Sequence, residues 1–268
     1  MIFNCHTHIG DAFLKNCIKL PMDLEKLFAP PYGYKHVMLR KASKEKILGG
    51  MKRAIKIMEE CGTNIFIDFR EGGIEGIKIL KEALSNKKLI AIVLGRPKNL
   101  KYEEKEIEEI LDMSHGIGIS SISDWKEEEL KLLAEHVKER KKLFALHASE
   151  NKREDIGKIL DLKPNFVIHL CKASEDDIDE VAKKKIGVVI CPRANSFFNL
   201  EPPINLLLEK KIEVMLGTDN AMIVDPDIMK EMEYLIKKFK IEKGKAIKMI
   251  SNTPSKFFGE ILKNHLHS

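Results

Sequence analysis

The stretch from Leu143 to Ile190, LFALHASENKREDIGKILDLKPNFVIHLCKASEDDIDEVAKKKIGVVI, holds two full turns of one pattern. Apolar runs of strand length (Leu143–Leu146, Phe166–His169, Gly187–Ile190) alternate with stretches of helical period, Arg153–Leu160 and Glu175–Lys185. The runs are continuous rather than alternating, as parallel strands buried on both faces require. Ser174, ahead of Glu175-Asp176-Asp177, is a helix N-cap followed by an acidic first turn.

The alternation extends outward in both directions. Met1–Cys5, Asn64–Phe69, Leu89–Leu94 and Gly116–Ser120 read as earlier strands, and Glu213–Leu216 as a later one. Helical stretches lie between them at Glu75–Leu84, Glu103–Met113, Lys126–Arg140 and Ile204–Lys210. Asp227–Lys240 and Lys243–Ser251 close the chain, and Asp124 reads as the cap of the helix carrying Glu127 to Glu129. Dividing 268 residues by about 150 per domain points nearer to two domains than one. Eight strand–helix units in one unbroken series instead predict an α/β fold, a closed (β/α)8 TIM barrel spanning 1–268 as a single domain. An open doubly wound sheet is the competing architecture. One connection is out of proportion: Ile9 to Ser43 shows a single short helical piece, Asp23–Phe28, punctuated by Pro21, Pro30, Pro31 and Gly33. After the first strand of a barrel it would lie over the mouth, as a lid or specificity loop.

Composition narrows the class. With 44% hydrophobic and 32% charged residues, the chain is neither disordered nor fibrous. The net charge of +5 does not mark a nucleic-acid binder, because lysines and glutamates interleave through Lys101–Glu109 and Lys126–Arg140 as on solvated helix faces. Nothing approaches the ~18 apolar residues of a membrane span. Met1-Ile2-Phe3-Asn4-Cys5-His6 has no secretion-signal pattern, and the five cysteines are scattered, without a C-x-x-C pair. The expectation is a cytoplasmic protein with reduced thiols acting on a small molecule, with no nucleic-acid or membrane partner and homo-oligomerisation left open.

Nine histidines are present, and their placement carries the chemistry. His6 and His8 stand two apart at the end of the first strand, where a period of two points both rings the same way. His147 ends the fifth strand, His169 ends the sixth, and Asp219 follows the eighth within Gly217-Thr218-Asp219-Asn220. Strand ends of a barrel converge on one mouth, where active sites form. A lone H-x-H is weak evidence, but five such residues at one end of four strands form a set of N and O ligands. That set suits one divalent ion, zinc first, with iron or manganese as alternatives. His115 opens its strand at the opposite face, His136 lies within a helix, and His265 and His267 fall in the tail, so these four read as structural or solvated. His36, in the long connection, could serve either way. Arg70 and Glu71 follow strand two, Arg96 follows strand three, and Arg193 and Asn195 follow strand seven. Arg70, Arg96, Arg193 and Asn195 are therefore candidates for gripping substrate, or else rim residues held in salt bridges. H-E-x-x-H, the P-loop, a complete G-x-G-x-x-G and the H-x-E with P-C-x-x-C pattern are all missing.

Taken together, Cys5-His6-Thr7-His8, His147-Ala148-Ser149-Glu150, Ile168-His169-Leu170, Gly217-Thr218-Asp219 and Asn252-Thr253-Pro254-Ser255-Lys256-Phe257-Phe258-Gly259 resemble the amidohydrolase superfamily of metal-dependent barrel hydrolases, along the whole chain. The resemblance implies that His6, His8, His147 and Asp219 bind the metal and that His169 lies beside the substrate. Glu150, three residues after His147, and Cys191-Pro192-Arg193-Ala194-Asn195 look like features of the mononuclear deaminase branch, which includes cytosine and adenosine deaminases and triazine hydrolases. There the glutamate moves protons between water and the leaving amine; a plain helix cap is the alternative role for Glu150. Strand four, His115-Gly116-Ile117-Gly118-Ile119-Ser120-Ser121, lacks the Lys or Glu that bridges two metals in binuclear members, with Ile117 where TatD-like nucleases place a glutamate. The expectation is a mononuclear aminohydrolase releasing ammonia from a cyclic amidine, with Glu150, His169 and Asp219 catalytic. A metal-dependent amidase, a TatD-like phosphoesterase and a non-catalytic ligand-binding barrel are the alternatives.

Overall fold

Eight staves of parallel β-structure close into a barrel in the computed structural model, which describes residues 1–17 and 23–266. They are β1 (Phe3–His8), β2 (Ile65–Arg70), β3 (Ile90–Gly95), β4 (Gly116–Ile119), β5 (Leu143–Ala148), β6 (Phe166–His169) and β7 (Gly187–Ile190), and an eighth in two halves, β8 (Val214–Leu216) and β9 (Asp219–Asn220). Each strand pairs with the next in sequence order from β1 through β8. The split last stave closes the ring: β8 pairs with β7, while β9 pairs with β1 through Thr7↔Asp219 and His8↔Asn220. Successive side chains on a strand face opposite sides, which sorts the apolar residues into two layers. Phe3, Ile67, Phe69, Ile92 and Phe166 fill the barrel interior, while Phe66, Val93, Ile117, Leu146 and Val188 pack against the helices. At the N-terminal ends of the strands, Phe258 closes the interior against Phe3 and Phe166, with ring centroids 6.5 and 5.7 Å away.

The first strand departs from a plain alternation. Its register against β2 shifts between Asn4 and Thr7, so that Cys5 and His6 together oppose Ile67. Such a bulge re-aims the side chains beyond it. Phe3 and Cys5 face inward before it, and His6 and His8 still reach the interior after it. The strand thus runs to His8 rather than ending at Cys5.

The connection after β1 differs from the expected loop with one helical piece. A 3-10 helix (Ile9–Leu14) and helices Leu24–Phe28 and Tyr34–Lys41 occupy it, and a 17-residue helix, Lys44–Glu60, follows. Ile47, Met51, Ala54, Ile55 and Met58 are its buried stripe and Ser43 its cap, although this helix is absent from the expected elements. Tyr34–Lys41 has no such stripe; its buried residues are Lys35 and His36. Residues 18–22, with Pro21, and His267 lie outside the described residues. Asp124 sits in a short 3-10 turn (Ile122–Asp124), so the cap of helix Glu127–Glu139 is Lys126. Ser174 forms a capping box with Asp177, which Arg153 holds through two bonds of 2.8 and 2.9 Å. Among the described residues no helix is long and apolar enough to cross a membrane.

Candidate functional site

Four side chains converge where β1, β5 and β9 end. His147 Nε2 lies 3.2 Å from His8 Nε2 and 3.1 Å from His6 Nε2; Asp219 Oδ1 lies 3.3 Å from His6 Nε2 and 3.6 Å from His8 Nε2. At metal–ligand distances of about 2.0–2.2 Å, the edges of a coordination tetrahedron measure roughly 3.3–3.6 Å. The outer nitrogens show why these atoms fit a cation. His8 Nδ1 stands 3.1 Å from Phe69 O and His147 Nδ1 stands 2.9 Å from Ile119 O. A carbonyl only accepts, so both hydrogens sit on Nδ1 and the facing Nε2 atoms present lone pairs to each other. Two lone pairs at that separation repel unless a positive ion lies between them. The group is therefore suited to a metal.

Packing holds this geometry. Phe69 lies edge-on beneath His6, 4.5 Å between centroids, and contacts His147 at 5.3 Å. Gly217, between the two halves of the last stave, lets the chain pass over the bulge: a Cβ there would stand 2.6 Å from His6 Cβ. On β4 the inward position is Gly118, where a Cβ would meet Phe69 at 2.5 Å, and Ile117 packs outward against the helices. Thus β4 offers no acid to the centre. His169 (φ 79°) and Asp219 (φ 62°) adopt left-handed backbone conformations, unusual for residues with side chains and found where a site dictates direction.

A second cluster adjoins the first. Glu150, His169 and Asp219 bring their polar atoms within 4.8 Å of one another. Asn195 Nδ2 donates to Glu150 Oε1 at 3.3 Å and lies 3.1 Å from His169 Nδ1. Accepting from Asn195 makes Nδ1 the bare nitrogen and puts the hydrogen on Nε2, which is buried, has no hydrogen-bond partner among the described residues, and lies 3.6 Å from Glu150 Oε2. Burial pushes the Glu150 carboxyl up to about 7. Burial acts on Asp219 in the same direction, but its bond to His6 and the surrounding imidazoles outweigh it and hold that carboxyl well below the usual range. Glu150 does not cap the next helix; Asp155 does.

Above the cluster opens a cavity of about 410 Å³, lined by His8, His147, Glu150 and Asp219 below and by Phe28, Lys35 and His36 of the first connection on one side. Of the four expected substrate contacts, only Arg96 lines it. Arg96 is 5% exposed and forms no ion pair among the described residues; burial lowers its pKa against the opposing charges of Glu71 and Asp124, with a smaller lowering from Arg70. Arg70 lies buried beneath the floor, bound to Asp68 at 3.1 Å and Glu71 at 2.5 Å. Arg193 turns away toward Glu231 and the carbonyls of Asp225 and Asp227. Asn195 is fully buried between Glu150 and His169. His115 Nδ1 accepts from Val93 N, and His136 bonds Glu108 and Tyr102 on the outer surface. The sequence reading missed Lys35 and gave Glu71 no role beyond following strand two. A buried lysine has no sequence signature, but Glu71 directly follows a strand end, as Glu150 nearly does.

The comparisons agree with this construction. The Amidohydrolase family profile matches residues 2–260, and the chain belongs to that family of hydrolases acting on C–N bonds. It is 36% identical over 267 residues to an uncharacterised protein of Methanocaldococcus jannaschii, covering 92% of this chain and 70% of that one. It is 35% identical over 259 residues to an Archaeoglobus fulgidus protein provisionally named an aminohydrolase, covering 96% and 73%. Among solved structures, guanine deaminase from C. acetobutylicum superimposes with a TM-score of 0.76 at 17% identity, covering 96% of this chain and 73% of that one.

Proposed function

We propose that the protein is a mononuclear, zinc-dependent aminohydrolase that releases ammonia from a small cyclic amidine such as a nucleobase, nucleoside or pterin. The observation that carries this reading is the place of Glu150, a part-buried carboxyl whose Oε2 stands 3.6 Å from His169 Nε2 and which adjoins the group of three histidines and one aspartate. His6, His8, His147 and Asp219 would hold the ion, and three nitrogens with one oxygen suit zinc. When bound, such an ion supplies Lewis acidity that makes water a competent nucleophile near neutral pH.

The chain's own groups do the rest. Asp219, kept ionised, accepts the proton released as water adds to the amidine carbon. His169 donates from Nε2 to orient the incoming oxygen, its tautomer fixed by Asn195. Glu150, protonated at the outset and held at Oε1 by Asn195, gives its proton from Oε2 to the ring nitrogen; the departing amine takes the proton that Asp219 received, and the added hydroxyl returns its own proton to Glu150 as the carbonyl forms. A carboxyl near pH 7 suits this shuttle, since it gives and takes protons with similar ease. Arg96, which lines the cavity, would meet an anionic or carbonyl edge of the substrate. The single-ion reading is supported by the inward face of β4, where Gly118 leaves room only for Phe69. Five free cysteines suit the reducing cytoplasm.

The test is to load purified protein with zinc, measure metal per chain, and screen purines, pyrimidines and pterins for ammonia release. One ion per chain with turnover of a cyclic amidine is expected. Two ions, or hydrolysis confined to phosphoesters, would overturn the reading.

A further inference from the structure

Lys35 reaches the cavity floor from helix Tyr34–Lys41 and is only 3% exposed. Its Nζ donates to Asn220 Oδ1 at 2.8 Å and lies 2.6 Å from Glu71 Oε1 and 3.7 Å from Asp11 Oδ2. Two of these partners lead onward. Glu71 Oε1 is 2.7 Å from His8 Nδ1, and Asn220 Nδ2 donates to Asp219 Oδ1 at 2.9 Å. One ammonium thus touches the outer partners of two of the four candidate ligands, from a segment that supplies no ligand itself.

We infer that Lys35 is a positioning residue for the candidate metal centre, through which helix Tyr34–Lys41 sets the affinity for the ion. The inference rests on the reading of His6, His8, His147 and Asp219 as ligands. Its physical basis is two-fold. An ammonium is a donor only, so Asn220 must turn its oxygen toward Lys35 and its amide hydrogens toward Asp219. The receiving oxygen, Oδ1, is the one that faces His6 and His8. Without Lys35 the amide is free to rotate by half a turn and set oxygen against carboxylate. On the other arm, Glu71 is gripped between Lys35 at Oε1 and Arg70 at Oε2. So fixed, its charge stays 2.7 Å from His8 Nδ1 and joins the Phe69 carbonyl in favouring the hydrogen there and the lone pair on Nε2. The Phe28 ring stands over the ammonium, its centroid 5.7 Å from Nζ.

The test measures zinc binding to metal-free protein by competition with a chromophoric chelator, with folding of each variant followed by near-UV circular dichroism. Lys35→Met keeps the apolar stem and removes the donor; a folded variant should bind zinc about ten- to hundredfold more weakly, the usual effect of losing an outer partner of a ligand. Lys35→Arg, which retains donors, should recover most of the affinity. If Lys35 only anchors its helix, K35M lowers the melting temperature of the metal-free protein but leaves the zinc Kd unchanged, and that result overturns the inference. Should K35M fail to fold, Asn220→Ala breaks one arm with Lys35 in place. A loss of affinity there supports the inference, and wild-type affinity overturns it. Wild-type protein that binds no zinc would instead sink the ligand reading itself, so the two failures are distinct.

Discussion

The Nε2 atoms of His8 and His147 stand 3.2 Å apart while each ring turns its Nδ1 to a backbone carbonyl. The protein is thus built around two opposed lone pairs, and a cation relieves their repulsion. Zinc should raise the melting temperature, by the equivalent of about 2.7 kcal/mol at a hundredfold excess over Kd. His147→Ala should abolish the shift and bring bound metal to a small fraction of one per chain. Full occupancy in that variant would contradict the ligand assignment.

Glu150→Gln separates binding from proton transfer. The amide keeps the size of the side chain but cannot shuttle a proton. Metal content should stay at one per chain while ammonia release falls by about 10²–10⁴-fold. Unchanged turnover would remove Glu150 from the chemistry.

Asn195 holds both His169 and Glu150 through a single amide nitrogen. Asn195→Leu fills similar space without donors. One lost bond to a charged group is worth about 1.5–3 kcal/mol, so kcat should drop roughly ten- to hundredfold with zinc affinity unaltered. A rise in KM alone would show that Asn195 serves binding rather than orientation.

Gly217→Ala forces a methyl group to within 2.6 Å of His6 Cβ and 2.7 Å of its backbone nitrogen. Backbone cannot yield as a flexible side chain can. The variant should lose about 1–3 kcal/mol, read as a lower urea midpoint at unchanged slope, together with weakened zinc binding.

Asp177 offers a titration remote from the metal. Its bonds to Arg153, and then to the backbone at Ser174, bring its pKa down to about 2 against the opposing effect of burial. The unfolded value is about 3.9. A carboxyl with a depressed folded pKa stabilises the fold above its unfolded pKa, and that contribution fades as pH falls toward the folded value. Asp177→Asn should therefore be less stable than wild type at pH 7, with the gap closing between about pH 4 and pH 2. A gap independent of pH would assign the loss to packing.

The barrel and the convergence of His6, His8, His147 and Asp219 were legible because they depend on local patterns: apolar runs at strand length, amphipathic helices, and polar residues just past strand ends. The bulge at Cys5 and His6 was not, since it is a matter of register against β2 and leaves no mark in β1 itself. The direction of Arg193 was hidden for a related reason. Residues after a strand end reach the cavity only if the following turn aims them there, and helix Pro192–Phe197 turns Arg193 outward while burying Asn195. Lys35 defeats sequence reasoning altogether, because a lysine on a short helix is by default solvated. Only the fold brings Glu71, Asn220 and Asp11 around it.

The split of the last stave places the barrel's seam within the candidate metal site. Asn4 and Thr218, 214 residues apart in sequence, exchange two hydrogen bonds just below it, and β9 joins β1 at the very residues that would grip the ion. The first strand of the barrel and its last thus share this centre. An ion bound there acts as a clasp on a loop of nearly the whole chain, the kind of long-range closure in which a cross-link removes the most freedom from the unfolded polymer. Metal supply would then govern how often the cylinder springs open along that edge, and the earliest amide protons to exchange on chelation should be those of β1 and its neighbours across the seam.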